Sequence, residues 1–221
     1  MDNKEMKLQR MHSTEGTILS ENAYNIAIGL TLLWGLAINI LMAVFLTPYI
    51  IQLDIRFVLI GYLVVSIGCI TVIFKSHNPA ISFVGFTGLS VVMGLLLTFI
   101  LAEYTTSTIY SAFLTTAIIV LSMMIVSMIF PAFFLGLGRV LIFALLGSLV
   151  IELIGGLLFH LPLDIMDYVV VVIFAGYIGY DWAKAQAYPK TLDNAIDSAA
   201  DIYVDIVNIF IRILRIMGKK K

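Results

Sequence analysis

Six long apolar runs follow one another in this chain, and they decide what it can fold into. A run of about 18 or more apolar residues is long enough to cross the hydrocarbon core of a bilayer as a helix. Four of the runs contain no charged residue, namely Ala23–Leu46, Phe57–Phe74, Ala80–Ala102 and Ser107–Phe130. A fifth run, Val140–Phe159, is interrupted only by Glu152. The sixth, Ile165–Tyr180, carries Asp167 near its start.

The overall composition agrees with this pattern. Of the 221 residues, 61% are hydrophobic and 12% are charged, and the mean hydropathy is +1.06. Soluble domains are usually about half apolar and about a quarter charged. The sequence therefore predicts an all-α integral membrane protein that has the lipid bilayer as its surroundings.

A seventh stretch, about Ala199–Met217, is apolar in pattern but charged in detail. It contains Asp201, Asp205, Arg212 and Arg215. Charged side chains within a membrane are costly and normally face the interior of a bundle or a polar cavity. We therefore expect this stretch to be shielded by the other helices or to lie at the membrane surface.

The chain divides into a polar cytoplasmic segment at residues 1–22, one transmembrane domain at 23–217 and a basic tail at 218–221. Cytoplasmic loops carry an excess of lysine and arginine. With the amino terminus inside, the outer loops contain only Arg56, whereas the inner segments contain Lys4, Lys7, Arg10, Lys75, Arg139, Lys184 and Lys190. The basic tail disagrees, because seven full crossings place it outside. Either a buried last helix tolerates a basic tail on the outer side, or that helix enters the membrane and returns to the inner side.

Several function classes are disfavoured by the residues. The single cysteine, Cys69, excludes an intrachain disulfide. The three histidines, His12, His77 and His160, fall in different segments without metal-ligand spacing. We find no nucleophile elbow, and a net charge of −1 suggests no nucleic-acid partner. We therefore predict a protein that is not an enzyme and has no resident cofactor.

The remaining candidates for functional residues are acidic side chains in or near the membrane-spanning runs. Glu152 lies near the middle of the fifth run, where it either lines an ion path or forms a hydrogen bond with a neighbouring helix as a protonated acid. Asp193, Asp197, Asp201 and Asp205 are spaced by four residues, so successive members shift by only about 40° around a helix. We expect the outer two to lie in exposed first turns of a helix. Solvation alone does not explain the inner two.

Two segments resemble the Bax inhibitor-1 family, also called the transmembrane Bax inhibitor motif family, and in particular its short bacterial members. They are FAGYIGYD at 174–181 and ADIYVDIVNIFIRILRI at 200–216. The second contains a motif formed by Tyr203, Asp205, Asn208 and Phe210. The resemblance implies a seven-helix transmembrane bundle in which the last helix is central and is wrapped by the other six. It also implies that Asp181 and Asp205 form a pair.

In the family, this pair is a pH-sensing latch that controls a calcium leak. Two close carboxylates in a poorly solvated site cannot both be ionised cheaply, so they share a proton. A basic residue that ends the second helix of bacterial relatives reaches the first aspartate of the pair, and Lys75 occupies that place here. Asp201 is a candidate ligand for a hard cation such as calcium, as is Glu152. Calcium is thus the expected permeant or bound ion.

A second hypothesis comes from a different functional class. Some bacterial relatives are thought to restrain a membrane-bound quality-control protease, which implies a regulatory protein that acts through protein contacts. A small-molecule transporter is a third alternative, but no inverted repeat is visible. The short tails and the absence of organelle signals favour a bacterial plasma membrane.

Overall fold

The structure is a computed structural model that describes residues 17–159 and 164–218. Within these ranges the chain forms helices and no β-strand. The basic residues at positions 4, 7 and 10, two of the histidines (His12 and His160) and the lysines of the tail lie outside the described residues. Predictions that rest on their placement therefore stay predictions.

The helices follow one another with short connections. They are α1 (Glu21–Leu41), a π-helical turn (Met42–Leu46), α2 (Thr47–Ile50), α3 (Ile55–Lys75), α4 (Pro79–Ala102), α5 (Thr106–Ile129), α6 (Pro131–Gly136), α7 (Gly138–Phe159), α8 (Asp164–Ala187) and α9 (Leu192–Met217). Polar residues mark several starts, because the first backbone N–H groups of a helix need side-chain acceptors. Asp54 accepts from the N–H of Arg56 at 2.9 Å, and Asn78 accepts from that of Ala80 at 2.9 Å.

Six stretches of the described chain are long and apolar enough to cross a membrane. They are Glu21–Ile50, Ile55–Lys75, Pro79–Ala102, Thr106–Ile129, Gly138–Gly156 and Asp164–Ala187. These stretches correspond to the six apolar runs of the sequence, so the prediction of a helical membrane protein is confirmed. The charged helix α9 is not among them, and the count of seven crossings stays a prediction.

Helix α9 is nevertheless well buried. Among its 26 residues only Leu192 and Arg215 are exposed. It begins at Leu192, so all four regularly spaced aspartates lie in this one helix. A polar helix with so little exposure must satisfy its charges within the protein.

The chain forms two compact units. The first combines the described residues up to Tyr104 with Ala185–Ala200. Within it, Gly94 lets α4 approach α1 closely, because an added Cβ would lie 2.9 Å from Asn39 Oδ1 and 2.8 Å from Met42 Sδ. A side chain at this position would force its neighbours to move.

The second unit combines the described residues of Thr105–Lys184 with those from Asp201 onward. A methyl group on Gly179 of α8 would lie 2.2 Å from the ring of Phe134, so α8 packs tightly on the short helix α6. Ser127 of α5 donates a hydrogen bond to the carbonyl oxygen of Gly179 at 2.5 Å. These contacts fix the half of α8 that carries the candidate site.

Candidate functional site

A cluster of charged side chains lies on α8 and α9 within the second unit. We name it the carboxylate cluster, and it consists of Asp181, Lys184, Asp201 and Asp205. On α8 the first two are three residues apart, and on α9 the last two are four residues apart. Both spacings place side chains on the same face of a helix. Each pair therefore projects from one face of its own helix.

The Lys184 ammonium bridges the two helices. It donates to Asp181 Oδ1 at 2.5 Å and to Asp201 Oδ2 at 2.7 Å. The carboxyl groups of Asp181 and Asp205 lie close enough to interact electrostatically. Two buried carboxylates that lie close together cannot both be ionised cheaply, so the arrangement favours a proton on one of the two groups. The structure thus brings together Asp181 and Asp205, the pair that the sequence singled out.

The innermost part of the cluster is shielded from solvent. Asp181 and Asp205 are buried, and Tyr177 lies near both of their carboxyl groups. Asp205 Oδ2 is buried and has no hydrogen-bond partner among the described residues. A buried carboxylate oxygen without a partner is costly, so it is ready to accept a proton donor or a cation.

Lys184 is the member of the cluster that sequence reasoning missed as a site residue. Its distance of three residues from Asp181 was a usable signal, since such pairs meet on a helix surface. Lys75, the candidate latch partner, is exposed at the end of α3. The observed cation on Asp181 is therefore Lys184, and the role of Lys75 stays a prediction.

A second charged cluster joins the other end of α8 to α7 and α9. Arg212 forms a two-pronged ion pair with Glu152, with its Nη2 at 2.9 Å from Oε2, and it also binds Asp167 Oδ1 at 2.8 Å. Arg215 is 3.4 Å from the same Asp167 oxygen. Both oxygens of Glu152 are engaged by a guanidinium, which favours a structural role for this residue over an ion path. Its hydrogen-bonding partner is a cation on the last helix.

The outer two aspartates of α9 differ from expectation. We predicted that Asp193 and Asp197 lie in exposed turns, and this is wrong, because both are buried. Asp193 Oδ1 accepts a hydrogen bond from the hydroxyl of Ser82 on α4 at 2.7 Å. The first turn of α9 is therefore packed on protein, and its carboxylate is satisfied by a neighbouring helix.

The remaining predicted residues have local roles in α9. Tyr203 is fully buried, and the side-chain amide of Asn208 donates to the carbonyl oxygen of Val204 at 2.8 Å. Within the described ranges, no group of three or more His, Cys, Asp or Glu side chains is arranged to hold a metal ion. In the carboxylate cluster, an ammonium occupies the space between the acids.

Comparison with known proteins decides the family. The sequence model of a family described as "Inhibitor of apoptosis-promoting Bax1" matches residues 19–221. The chain belongs to this family, the Bax inhibitor-1 family. The match includes all of α8 and α9 and confirms the resemblance seen in their motifs.

Two curated relatives show how similar the chain is to known members in sequence identity and in length covered. An uncharacterized membrane protein of Streptococcus pyogenes serotype M6 is 29% identical over 140 residues, which cover 59% of this chain and 60% of the relative. The inner membrane protein YbhL of Escherichia coli K12 is 26% identical over 182 residues, which cover 75% of this chain and 76% of the relative. The matches to this Bax inhibitor-1 family member are thus bacterial membrane proteins, and the protein is an integral membrane protein.

Proposed function

We propose that this protein is a pH-sensitive leak channel for calcium and similar cations, gated by the pair of Asp181 and Asp205. One observation carries the proposal, namely that two buried carboxyl groups on different helices lie close enough to interact. Two such groups repel each other when both are ionised, so their contact depends on protonation. Protonation can therefore bias the arrangement of α8 relative to the second half of α9.

The free energy available from this switch is a large part of what gating needs. Two unit charges about 4 Å apart repel by about 4 kcal/mol at an effective dielectric constant of about 20. A two-state equilibrium needs about 5.5 kcal/mol to move from 1:99 to 99:1. Loss of the shared proton thus supplies a large part of the free energy that full switching requires.

The chemistry of the acids supports a cation as the permeant species. Carboxylates within membrane segments mark ion paths, and calcium is a hard cation that prefers oxygen ligands. Asp201 is the candidate ligand beyond the pair, whereas both oxygens of Glu152 are engaged by Arg212. The proposal includes no catalytic step and no resident cofactor.

The proposed architecture is a seven-helix bundle with α9 at its centre, surrounded by the six apolar spans. The burial of α9 and its ion pairs with α8 and α7 support this arrangement. We place the protein in a bacterial plasma membrane with a cytoplasmic amino terminus, as its basic residues favour.

Calcium entry into liposomes that contain only the purified protein tests the function. A dye trapped inside reports calcium entry, and an ionophore added at the end gives the maximum signal. We expect entry faster than in protein-free liposomes of the same lipid, with a rate that changes between mildly acidic and mildly alkaline pH. No entry at any pH would exclude the leak and would favour a regulatory protein that acts through contacts, for instance on a membrane-bound protease.

A further inference from the structure

A shallow apolar groove opens on the surface of the first unit, where α4 packs on both α1 and α3. It is lined by Trp34 of α1, by Val65 of α3 and by a stripe of α4. Its volume of about 690 Å³ lies within the range of about 300–1,000 Å³ that is usual for ligand pockets. All three helices belong to stretches that can cross a membrane, so the medium that the groove faces is lipid.

The α4 part of the lining runs lengthwise along the helix. Phe83, Thr87, Val91 and Leu95 follow one another at intervals of four residues and so lie along one broad side of α4. At 1.5 Å of rise per residue, the stripe from Phe83 to Leu95 is about 18 Å long. One leaflet contributes about 15 Å to a hydrocarbon core of about 30 Å. The groove is therefore about as long as one leaflet is deep, which is the length of an extended acyl chain.

The polar groups of the lining are already satisfied by the protein. The indole N–H of Trp34 donates to Thr87 Oγ1 at 3.1 Å, and the Thr87 hydroxyl donates to the carbonyl oxygen of Phe83 at 2.9 Å. An indole nitrogen has no further donor to offer. The other lining side chains are apolar. An occupant of the groove thus needs no hydrogen-bonding group at this depth, and a hydrocarbon chain meets that condition.

One end of the groove lies near a cationic loop. Phe83 is about one turn from the start of α4 at Pro79, and three residues join Pro79 to Lys75, the last residue of α3. Lys75 and His77 are both exposed, and residues 75–79 contain no acid. Long lysine side chains extend to the membrane interface, where basic residues attract anionic lipids. Apolar lining and a cation at one end match the two parts of an anionic phospholipid.

We propose that this groove binds one acyl chain of an anionic phospholipid, with the phosphate of its headgroup held near the ammonium of Lys75. In the proposed orientation the loop between α3 and α4 is cytoplasmic, so the lipid belongs to the inner leaflet. Lys75 then has its partner in the membrane and not in the carboxylate cluster. The site does not rest on the calcium leak, and a failure of either leaves the other standing.

The first test uses Trp34 as a reporter, because Trp34 and Trp182 are the two tryptophans of the chain. Trp182→Phe protein is placed in liposomes of phosphatidylglycerol and phosphatidylcholine in equal amounts, and bromine on the acyl chains of one of the two lipids quenches nearby tryptophan. From the relative quenching we expect about fivefold higher affinity for the anionic lipid, as one lysine at the interface provides. Equal quenching by the two brominated lipids would overturn the proposal.

Two charge variants in the same background locate the headgroup. Lys75→Met should remove most of the preference for phosphatidylglycerol. Arg139→Met removes another exposed cation, at the start of α7, and should keep the preference. An equal loss in both variants would assign the preference to general surface charge and would contradict a site at Lys75.

The second test leaves both tryptophans in place and uses native mass spectrometry of protein in detergent with equal amounts of the two lipids. We expect the wild type to retain one phosphatidylglycerol per chain. Val91→Trp fills the groove and should lose this lipid. The matched control Val150→Trp, which lies as far into α7 as Val91 lies into α4, should keep it, since these valines are 53% and 44% exposed.

The second test also covers the other possible occupants. Retention of the lipid by Val91→Trp at the wild-type level would overturn the proposal. A lipid-free dimer of the wild type that Val91→Trp converts to a monomer would assign the groove to a second copy of the chain and would also overturn it. If Trp182→Phe or Val91→Trp does not fold, the lipid retained by the wild type and by Lys75→Met decides.

Discussion

Arg212 is the residue on which the second charged cluster depends. It holds Glu152 and Asp167, which come from two other helices, and its side chain is only 14% exposed. Removal of one partner from a buried ion pair leaves uncompensated charge and costs about 3–5 kcal/mol. Arg215 touches the same cluster, but its side chain is half exposed.

We predict that Arg212→Met lowers the free energy of unfolding by about 3–5 kcal/mol, whereas the matched change Arg215→Met costs at most about 1 kcal/mol. Denaturant titration in detergent micelles measures both. Equal losses in the two variants would show that burial of Arg212 does not control the stability of this cluster.

Asp193 offers a second comparison between matched residues. Ser82 donates to this buried carboxylate from another helix, whereas Ser90 of the same helix donates to the carbonyl oxygen of Phe86 one turn earlier. Both serines are fully buried. A lost hydrogen bond to a buried charged group costs more than the loss of a bond within one helix.

We therefore predict that Ser82→Ala lowers the free energy of unfolding by about 1–3 kcal/mol. Ser90→Ala should change it by less than about 0.5 kcal/mol. Thermal melting in detergent compares the two. A larger effect at Ser90 would contradict the role assigned to the contact between Ser82 and Asp193.

Sequence reasoning found the acids of the site but not all of their partners. Asp181 and Asp205 were identified by motif, and the structure brings them together. The partners of Arg212 lie 45 and 60 residues away along the chain, so no local pattern reveals them. We predicted that Asp193 is exposed because it lies near the start of a helix. Its burial depends on how α4 packs against α9, and the local sequence pattern does not contain that information.

At the level of elements, the contact between α6 and α8 requires a residue without a side chain at position 179. Gly179 lies against the ring of Phe134, which is itself buried. Gly147 of α7, in contrast, has no neighbouring atom within 4 Å of an added Cβ. Overfilling a packed contact costs about 1–3 kcal/mol, whereas alanine is favoured over glycine in a helix by about 1 kcal/mol.

We predict that Gly179→Ala lowers the melting temperature and that Gly147→Ala leaves it unchanged or raises it. Both variants are measured in the same detergent, with yield and elution volume as controls for folding. A stable Gly179→Ala variant would show that the ring of Phe134 moves aside at little cost.

The apolar runs predicted the long helices well because their limits are set by composition. The run Ala80–Ala102 corresponds to α4, and Phe57–Phe74 to α3, within two residues at each end. The short helix α6 and the π-helical turn at Met42–Leu46 were not predicted, since both lie within or directly beside continuous apolar sequence. Packing rather than pattern determines such local changes.

At the level of the whole molecule, the proposed central position of α9 predicts little contact with lipid. Single cysteines placed at 202–210 in a Cys69→Ser background can carry a fluorescent probe. We expect a quencher dissolved in the lipid phase to leave these probes bright and to quench a control probe at Ile118, which is 66% exposed on α5. Strong quenching all around 202–210 would exclude the central helix.

The orientation has its own test. The excess of basic residues in the inner segments predicts that the amino terminus is cytoplasmic. A cysteine at position 4 should therefore resist a membrane-impermeant reagent in intact cells and react after the cells are opened. Reaction in intact cells would reverse the topology.

The central claim is that Asp181 and Asp205 act as one titrating unit. The most direct measurement is calcium flux in liposomes across mildly acidic to mildly alkaline pH for the wild type, Asp181→Asn, Asp205→Asn and the double variant. Each single change removes the shared proton, so each should abolish most of the pH dependence, and the double variant should add little. A pH profile in correctly folded Asp181→Asn that matches the wild type would contradict the latch.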